Sequence, residues 1–261
     1  MKKKFTFGLL TIFSFLLSAC MSVNTYPDAD KYLVGSKTYT ETIQEITIDW
    51  ISGNITLIED NTIVGVEIVE ETNVTKDEER VHTYVHDGIL KVKYFASGYT
   101  KSSLNHIQKD IFVTYKPSLN KLTINQTSGN LVAESVNCDD FRLNMTSGNA
   151  TIDTINTAGT TLNLTSGNLD FDHVIANRLD VSMTSGTLTM GMDTIGSVDI
   201  KMTSGNVYLT LPADGAKVTI TKVSGTINAN RTHTQAGNLY TFGVWDATIE
   251  ISITSGSVYL D

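Results

Sequence analysis

Leu143-Asn144-Met145-Thr146-Ser147-Gly148-Asn149-Ala150-Thr151-Ile152 returns 19 residues later as Leu162-Asn163-Leu164-Thr165-Ser166-Gly167-Asn168-Leu169-Asp170-Phe171. The Ser-Gly pair at the centre of this unit recurs in steps of 19 at Ser128-Gly129, Ser147-Gly148, Ser166-Gly167, Ser185-Gly186 and Ser204-Gly205. Ser224-Gly225 and Ser255-Gly256 follow at longer intervals, and Ser52-Gly53-Asn54 stands alone upstream. Four residues before the Ser come Ile124, Leu143, Leu162, Val181 and Ile200; after the Gly come Leu131, Ala150, Leu169, Leu188 and Val207. Apolar residues also stand two positions further out on either side, and spacing of two is the mark of a strand with one buried face. The last apolar position before the Ser and the first after it are five residues apart. Inward parity therefore breaks at Thr-Ser-Gly-Asn, a bend at which Gly takes φ > 0 without a Cβ penalty.

Two all-β architectures satisfy this pattern. In an elongated β-solenoid each 19-residue unit is one coil, stacked about 4.8 Å above the last. In an array of β-hairpins, Ser-Gly would be a two-residue turn pairing Met145 with Ala150 and Leu143 with Ile152. The solenoid is the preferred reading. Constant repeat length brings like residues over like, so Thr, Ser and Asn form columns whose side chains can bond from coil to coil, as in stacked Asn ladders. Hairpins require no such identity.

The repeated strand–Ser-Gly-Asn–strand unit resembles the bacterial "putative adhesin" family of envelope proteins, β-solenoid-type domains of no settled activity. Asp110-Ile111-Phe112-Val113-Thr114-Tyr115-Lys116-Pro117 is similar to the strand that opens the family's repeats. Ile249 to Leu260 is similar to its closing strand pair. Family members often carry Asp after the Gly, where this chain has Asn, Thr or Ser.

The first residues supply an address. Met1-Lys2-Lys3-Lys4 is a basic start, and Phe5 to Leu17 is an apolar run too short for a bilayer, which needs about 20 helical residues. Leu17-Ser18-Ala19-Cys20 resembles a bacterial lipobox, which implies cleavage before Cys20, a diacylglyceryl group on its sulfur, and an extracytoplasmic, membrane-anchored protein. An ordinary secretory signal with an incidental cysteine is the other reading. The expected organisation is a lipoprotein signal peptide at 1–19, a lipidated tether at 20–35, irregular first β coils at 36–118, and the repeat body with a C-terminal cap at 119–261. Tyr240, Phe242 and Trp245 are expected to form that cap, with His233 to Asn238 as a loop.

Chemistry is sparse. With Cys20 lipidated, Cys138 is the one remaining thiol, so the fold is held by burial and backbone pairing alone. His82 and His86 are four apart, but in a β-rich stretch they stand about 13 Å apart as exposed strand residues, too far to share a metal. The bend residues (Ser128, Gly129, Ser147, Gly148, Ser166, Gly167, Ser185, Gly186, Ser204, Gly205) are structural, because a catalytic serine has no reason to recur in every unit. Glu134, Asp153 and Asp172 each stand six residues after a Ser, so stacking would align them. That column is either a solvated acidic stripe or a set of Ca2+ ligands; no other cofactor is expected.

The chain carries a net charge of −9 with 18% charged residues, and removal of Lys2, Lys3 and Lys4 takes it to about −12. Such a surface repels phosphate backbones, which argues against nucleic acid as a partner. The expected function is that of a non-catalytic cell-surface lipoprotein, an adhesin-like module binding a protein, glycan or peptide. An envelope-stress component that captures cationic antimicrobial peptides is the alternative. A polysaccharide-acting β-helix enzyme is the third reading, disfavoured because the outward positions are mostly Thr, Asn and Ser.

Overall fold

A computed structural model describes residues 25–117, 119–244 and 247–261. The expected signal segment, Cys20 and Trp245 lie outside the described residues. The chain is all-β; the described residues include two single-turn 3-10 segments, Ala29–Lys31 and Asp77–Glu79, and no α-helix.

Repeats pair in parallel, like residue on like residue. Phe141 lies beside Leu122, Leu143 beside Ile124 and Met145 beside Gln126, each 19 residues apart. Met145 therefore does not close a hairpin onto Ala150. The bend glycines record the stacking order. A Cβ on Gly129 would lie 2.0 Å from the carbonyl oxygen of Gly53, and one on Gly148, Gly167, Gly186 and Gly205 would lie 1.7–1.9 Å from that of the glycine 19 residues earlier. All five glycines have φ between +115° and +137°. The serines staple the same contact: Ser147 Oγ donates to the Thr127 carbonyl at 3.3 Å, and Ser185 Oγ to that of Thr165 at 3.4 Å.

Amide columns run along the outside of the bends. Asn144 donates to Asn125 and Asn163 to Asn144, both at 2.8 Å, and Asn125 donates to Asp49 at 2.7 Å. A second ladder climbs Asn54, Asn130, Asn149 and Asn168. Inside, Leu143, Leu162, Val181 and Ile200 are buried in one continuous core. Each such side chain contributes about 1.5–3 kcal/mol on leaving water.

Chain order and stacking order diverge at both ends. Strands Glu45–Trp50 and Ile55–Glu59, on either side of Ser52-Gly53, lie directly against residues 119–126 and 131–133. Beneath them come Ile89–Lys93 and Lys109–Tyr115 in parallel, and that end is closed by antiparallel strands His82–His86 and Val66–Thr72.

At the other end the expected order is corrected. The last strand, Ala247–Leu260, does not close the stack. It is inserted between residues 197–209 and the earlier segment Gly215–Ala229, pairing in parallel with both. Its inward residues Ile249, Ile251, Ile253, Val258 and Leu260 are all buried. Gly215–Ala229 carries Lys222 and Val223 instead, which suit an end position. The cap is an antiparallel hairpin of Thr234–Ala236 and Leu239–Gly243 laid on residues 215–219. Tyr240 and Phe242 are buried there as expected, but His233 to Asn238 is not all loop, since Thr234–Ala236 is a strand.

Candidate functional site

Each unit has a second corner that the Ser-Gly pattern does not reveal. Eight residues after the Ser, Val136, Ile155 and Val174 are fully buried. Two further on come Cys138, Thr157, Ala176 and Ile195, also buried. Three of these last four, Cys138, Thr157 and Ala176, are small, and the corner is concave. It forms a concavity of about 580 Å³ along the stack, spanning four successive coils.

One wall of this groove is the column Asn137, Asn156, Ile175 and Thr194. Asn156 Nδ2 donates to Asn137 Oδ1 at 3.1 Å. Glu59 fixes the base of the ladder, accepting from Ser135 Oγ at 2.5 Å, Asn137 N–H at 2.6 Å and Asn137 Nδ2 at 2.5 Å. Ile175 continues the column with 36% of its surface exposed. The opposite wall includes Asp139, Asn177 and Gly196. Thr157 on the floor shares a hydrogen bond with the buried Thr160, their hydroxyls 2.7 Å apart. Burial, with smaller help from Glu59 and Asp140, pushes the Cys138 thiol up to about 12, so it stays protonated and is a poor nucleophile. The groove is thus an open trough of mixed polar and apolar lining, with a repeat set by the coils. It suits an extended ligand.

A second concavity of about 470 Å³ is lined by Phe171, Met190, Met192 and Leu211, with His173 at its rim. His173 Nδ1 lies 3.0 Å from the Asp193 carboxylate.

The five bend glycines lie one upon another, and Ser128, Ser147 and Ser185 donate their hydroxyls to carbonyls of the adjacent segment. Glu134, Asp153 and Asp172 are exposed. Among the described residues no group of three or more His, Cys, Asp or Glu side chains is arranged to hold a metal ion, so the acidic column offers no ready ligand cluster for Ca2+. His86 is exposed as expected, but His82 is buried, with Nδ1 2.9 Å from the Arg80 carbonyl. Burial lowers its pKa.

One buried cluster is absent from the sequence reading. Lys109 Nζ lies 3.2 Å from Glu70 Oε1, both side chains fully buried, and donates to the carbonyls of Glu79 (2.6 Å) and Tyr94. The ammonium sits 4.3 Å from the Tyr94 ring centre and 5.2 Å from that of Trp50. Glu70 also accepts the Val81 N–H at 2.7 Å and Arg80 Nε at 3.1 Å. Alternation held the signal: Val66, Ile68 and Glu70 share one face, as do Lys109, Ile111 and Val113.

The family model described as Toastrack DUF4097 matches residues 36–261. No curated protein matches the chain. Among solved structures, a "putative adhesin" from Bacteroides fragilis is 13% identical, with 88% of this chain and 97% of that chain covered and a TM-score of 0.48. A "putative cell adhesion protein" from Clostridium sporogenes is 15% identical, with 88% and 99% covered and a TM-score of 0.37. A "putative lipid binding protein" from Parabacteroides distasonis is 14% identical, with 87% and 97% covered and a TM-score of 0.43.

Proposed function

The chain belongs to the Toastrack DUF4097 family, and on that footing we propose that its all-β body is an elongated β-solenoid serving as a non-catalytic, adhesin-like binding module. In this reading the body stands outside the cytoplasm, held to the membrane by a lipid on Cys20. The observation that carries it is the groove over the second corner. Its wall places one residue per coil, and its Asn137–Asn156 part is held by the bond between those amides and by Glu59, so that part is ordered before any ligand arrives. A trough that combines amide, hydroxyl and apolar positions fits an extended glycan or peptide that offers both polar groups and apolar faces.

The test is binding of soluble glycans and extended peptides to the purified protein and to Ile175→Lys. Ile175 is partly exposed, so the substitution changes the groove and leaves the core alone. Ligands that bind the protein and lose affinity for Ile175→Lys support the groove. Ligands that bind both equally place recognition elsewhere.

The exposed acidic residues Glu134, Asp153 and Asp172, in three successive coils, favour capture of cationic peptides as a second reading. Such binding would weaken with added salt and in Asp153→Asn, and would be indifferent to Ile175→Lys.

A further inference from the structure

Both ends of the stack carry antiparallel strands, and the C-terminal end leaves the longer edge open. Gly215–Ala229 pairs along its whole length with Ala247–Leu260 on one side. On its other side only Gly215 to Ile220 are covered, by the hairpin strand Leu239–Gly243 and by Asn238, whose carbonyl accepts the Ile220 N–H. Residues 221–229 therefore have a paired neighbour on one side alone among the described residues. Thr221 to Thr226 are exposed, Val223 to 82%. The other edge strands are short: Leu33–Val34, Lys37–Tyr39 and Thr234–Ala236. Short edges and edges without free backbone do not recruit partners, whereas a nine-residue edge without Pro is a template for another strand.

Lys222 determines what that strand must carry. It occupies the inward position two before the Ser, whose column runs Met145, Leu164, Met183, Met202 and Ile253. Those five are buried, and the column ends on an ammonium at the open edge. Lys222 Nζ donates to the Gly225 carbonyl at 2.5 Å, across its own bend. Nearby, Arg231 also bonds to carbonyls, those of Pro212 and Ala213. No Asp or Glu occurs between Gly215 and Val244, although the whole chain has a net charge of −9. A strand laid over this edge in stack register would set its own inward side chain about 4.8 Å from Lys222. An apolar residue there would desolvate the ammonium without a counter-charge; a carboxylate would pair with it.

We infer that the edge Thr221–Ala229 is a docking site for an extended segment of another polypeptide that brings a carboxylate over Lys222. The same lysine disfavours continuation of the stack by an apolar repeat strand and so guards the edge against self-assembly. This site is separate from the groove, and neither reading depends on the other.

The test uses two labelled nine-residue peptides: one with the sequence of Ser252–Leu260, the strand already paired in this register, and the same peptide with I253E. Fluorescence anisotropy with the full protein should show the I253E peptide binding about fivefold tighter, the fold-change of an ion pair at the upper end of the exposed range. Hydrogen exchange should slow at residues 221–229 when it binds. In Lys222→Met, and in Lys222→Gln as a check should the first variant misfold, the preference should vanish. Failure of the I253E peptide to bind, equal binding of the two, or a preference that survives both substitutions overturns the inference. So does sedimentation showing that the protein alone already dimerises through this edge, with Val223→Lys restoring a monomer.

Discussion

Replacing Gly167 by Val strikes the glycine spine at its centre. The residue sits at φ +131°, and a Cβ there would lie 1.8 Å from the Gly148 carbonyl oxygen. Real Cβ contacts do not fall below 3.0 Å, so the two coils would have to part by more than an ångström at the bend. The obstacle is backbone and cannot rotate away. Holding a β-branched residue in that region costs about 1–3 kcal/mol. Parting the coils exposes or orphans one or two backbone hydrogen bonds, at about 1–3 kcal/mol each. The sum is about 4 kcal/mol, a large share of the 5–15 kcal/mol that holds a typical domain together. Gly159→Val is the matched control. No heavy atom lies within 4 Å of its Cβ position, and its φ is outside the left-handed range. That variant should stay within about 0.5 kcal/mol of the parent. Urea unfolding of the three proteins, followed by circular dichroism, compares them directly. Equal losses for Gly167→Val and Gly159→Val would refute the stacked-glycine account.

Cys20→Ala should move the protein from the detergent phase to the aqueous phase, or leave an uncleaved precursor; unchanged partitioning would remove the lipid anchor from the reading. Cys138, buried and with its thiol pushed up to about 12, should resist alkylation in the native protein and react once urea unfolds it. Rapid native labelling would place it at a surface. Burial lowers Lys109 from 10.5 to about 8 in the fold, so between those values the unfolded chain binds the extra proton. This group's contribution to stability is therefore fully present above pH 10.5 and is lost as pH falls towards 8. Relative to Lys109→Met, the parent protein should gain stability between pH 8 and pH 10.5; a constant difference would contradict the buried, desolvated lysine.

The repeat body was legible because its information is local and periodic. Alternation around each Ser-Gly pair names the inward residues, and the fixed step of 19 brings Leu143 over Ile124 and Asn144 over Asn125 without any knowledge of the rest of the chain. The positive φ of the bend glycines follows from the break in parity. Even so, alternation alone makes Asn125 and Asn144 look like outward polar residues that Ser could replace, whereas their ladder to Asp49 makes Ser a poor substitute. The groove was missed for a related reason. Its floor residues Cys138, Thr157, Ala176 and Ile195 differ in polarity, so no apolar column marks them as inward, and hollowness is a matter of side-chain volume across four coils.

Sequence alone determined that this chain is built of strands, where each repeat bends, and which residues face inward. The tertiary structure decided the order in which segments stack, because any strand with the same alternation can occupy the same slot in a parallel ladder. Burial on both flanks then selects among them. The uninterrupted apolar face of Ala247–Leu260 takes the interior place, and Gly215–Ala229, whose inward column carries Lys222, is left at the edge. The pairing of Lys109 with Glu70 belongs to the same class. Two charged residues at inward positions, 39 apart in sequence, can remain buried only once folding has placed each beside the other.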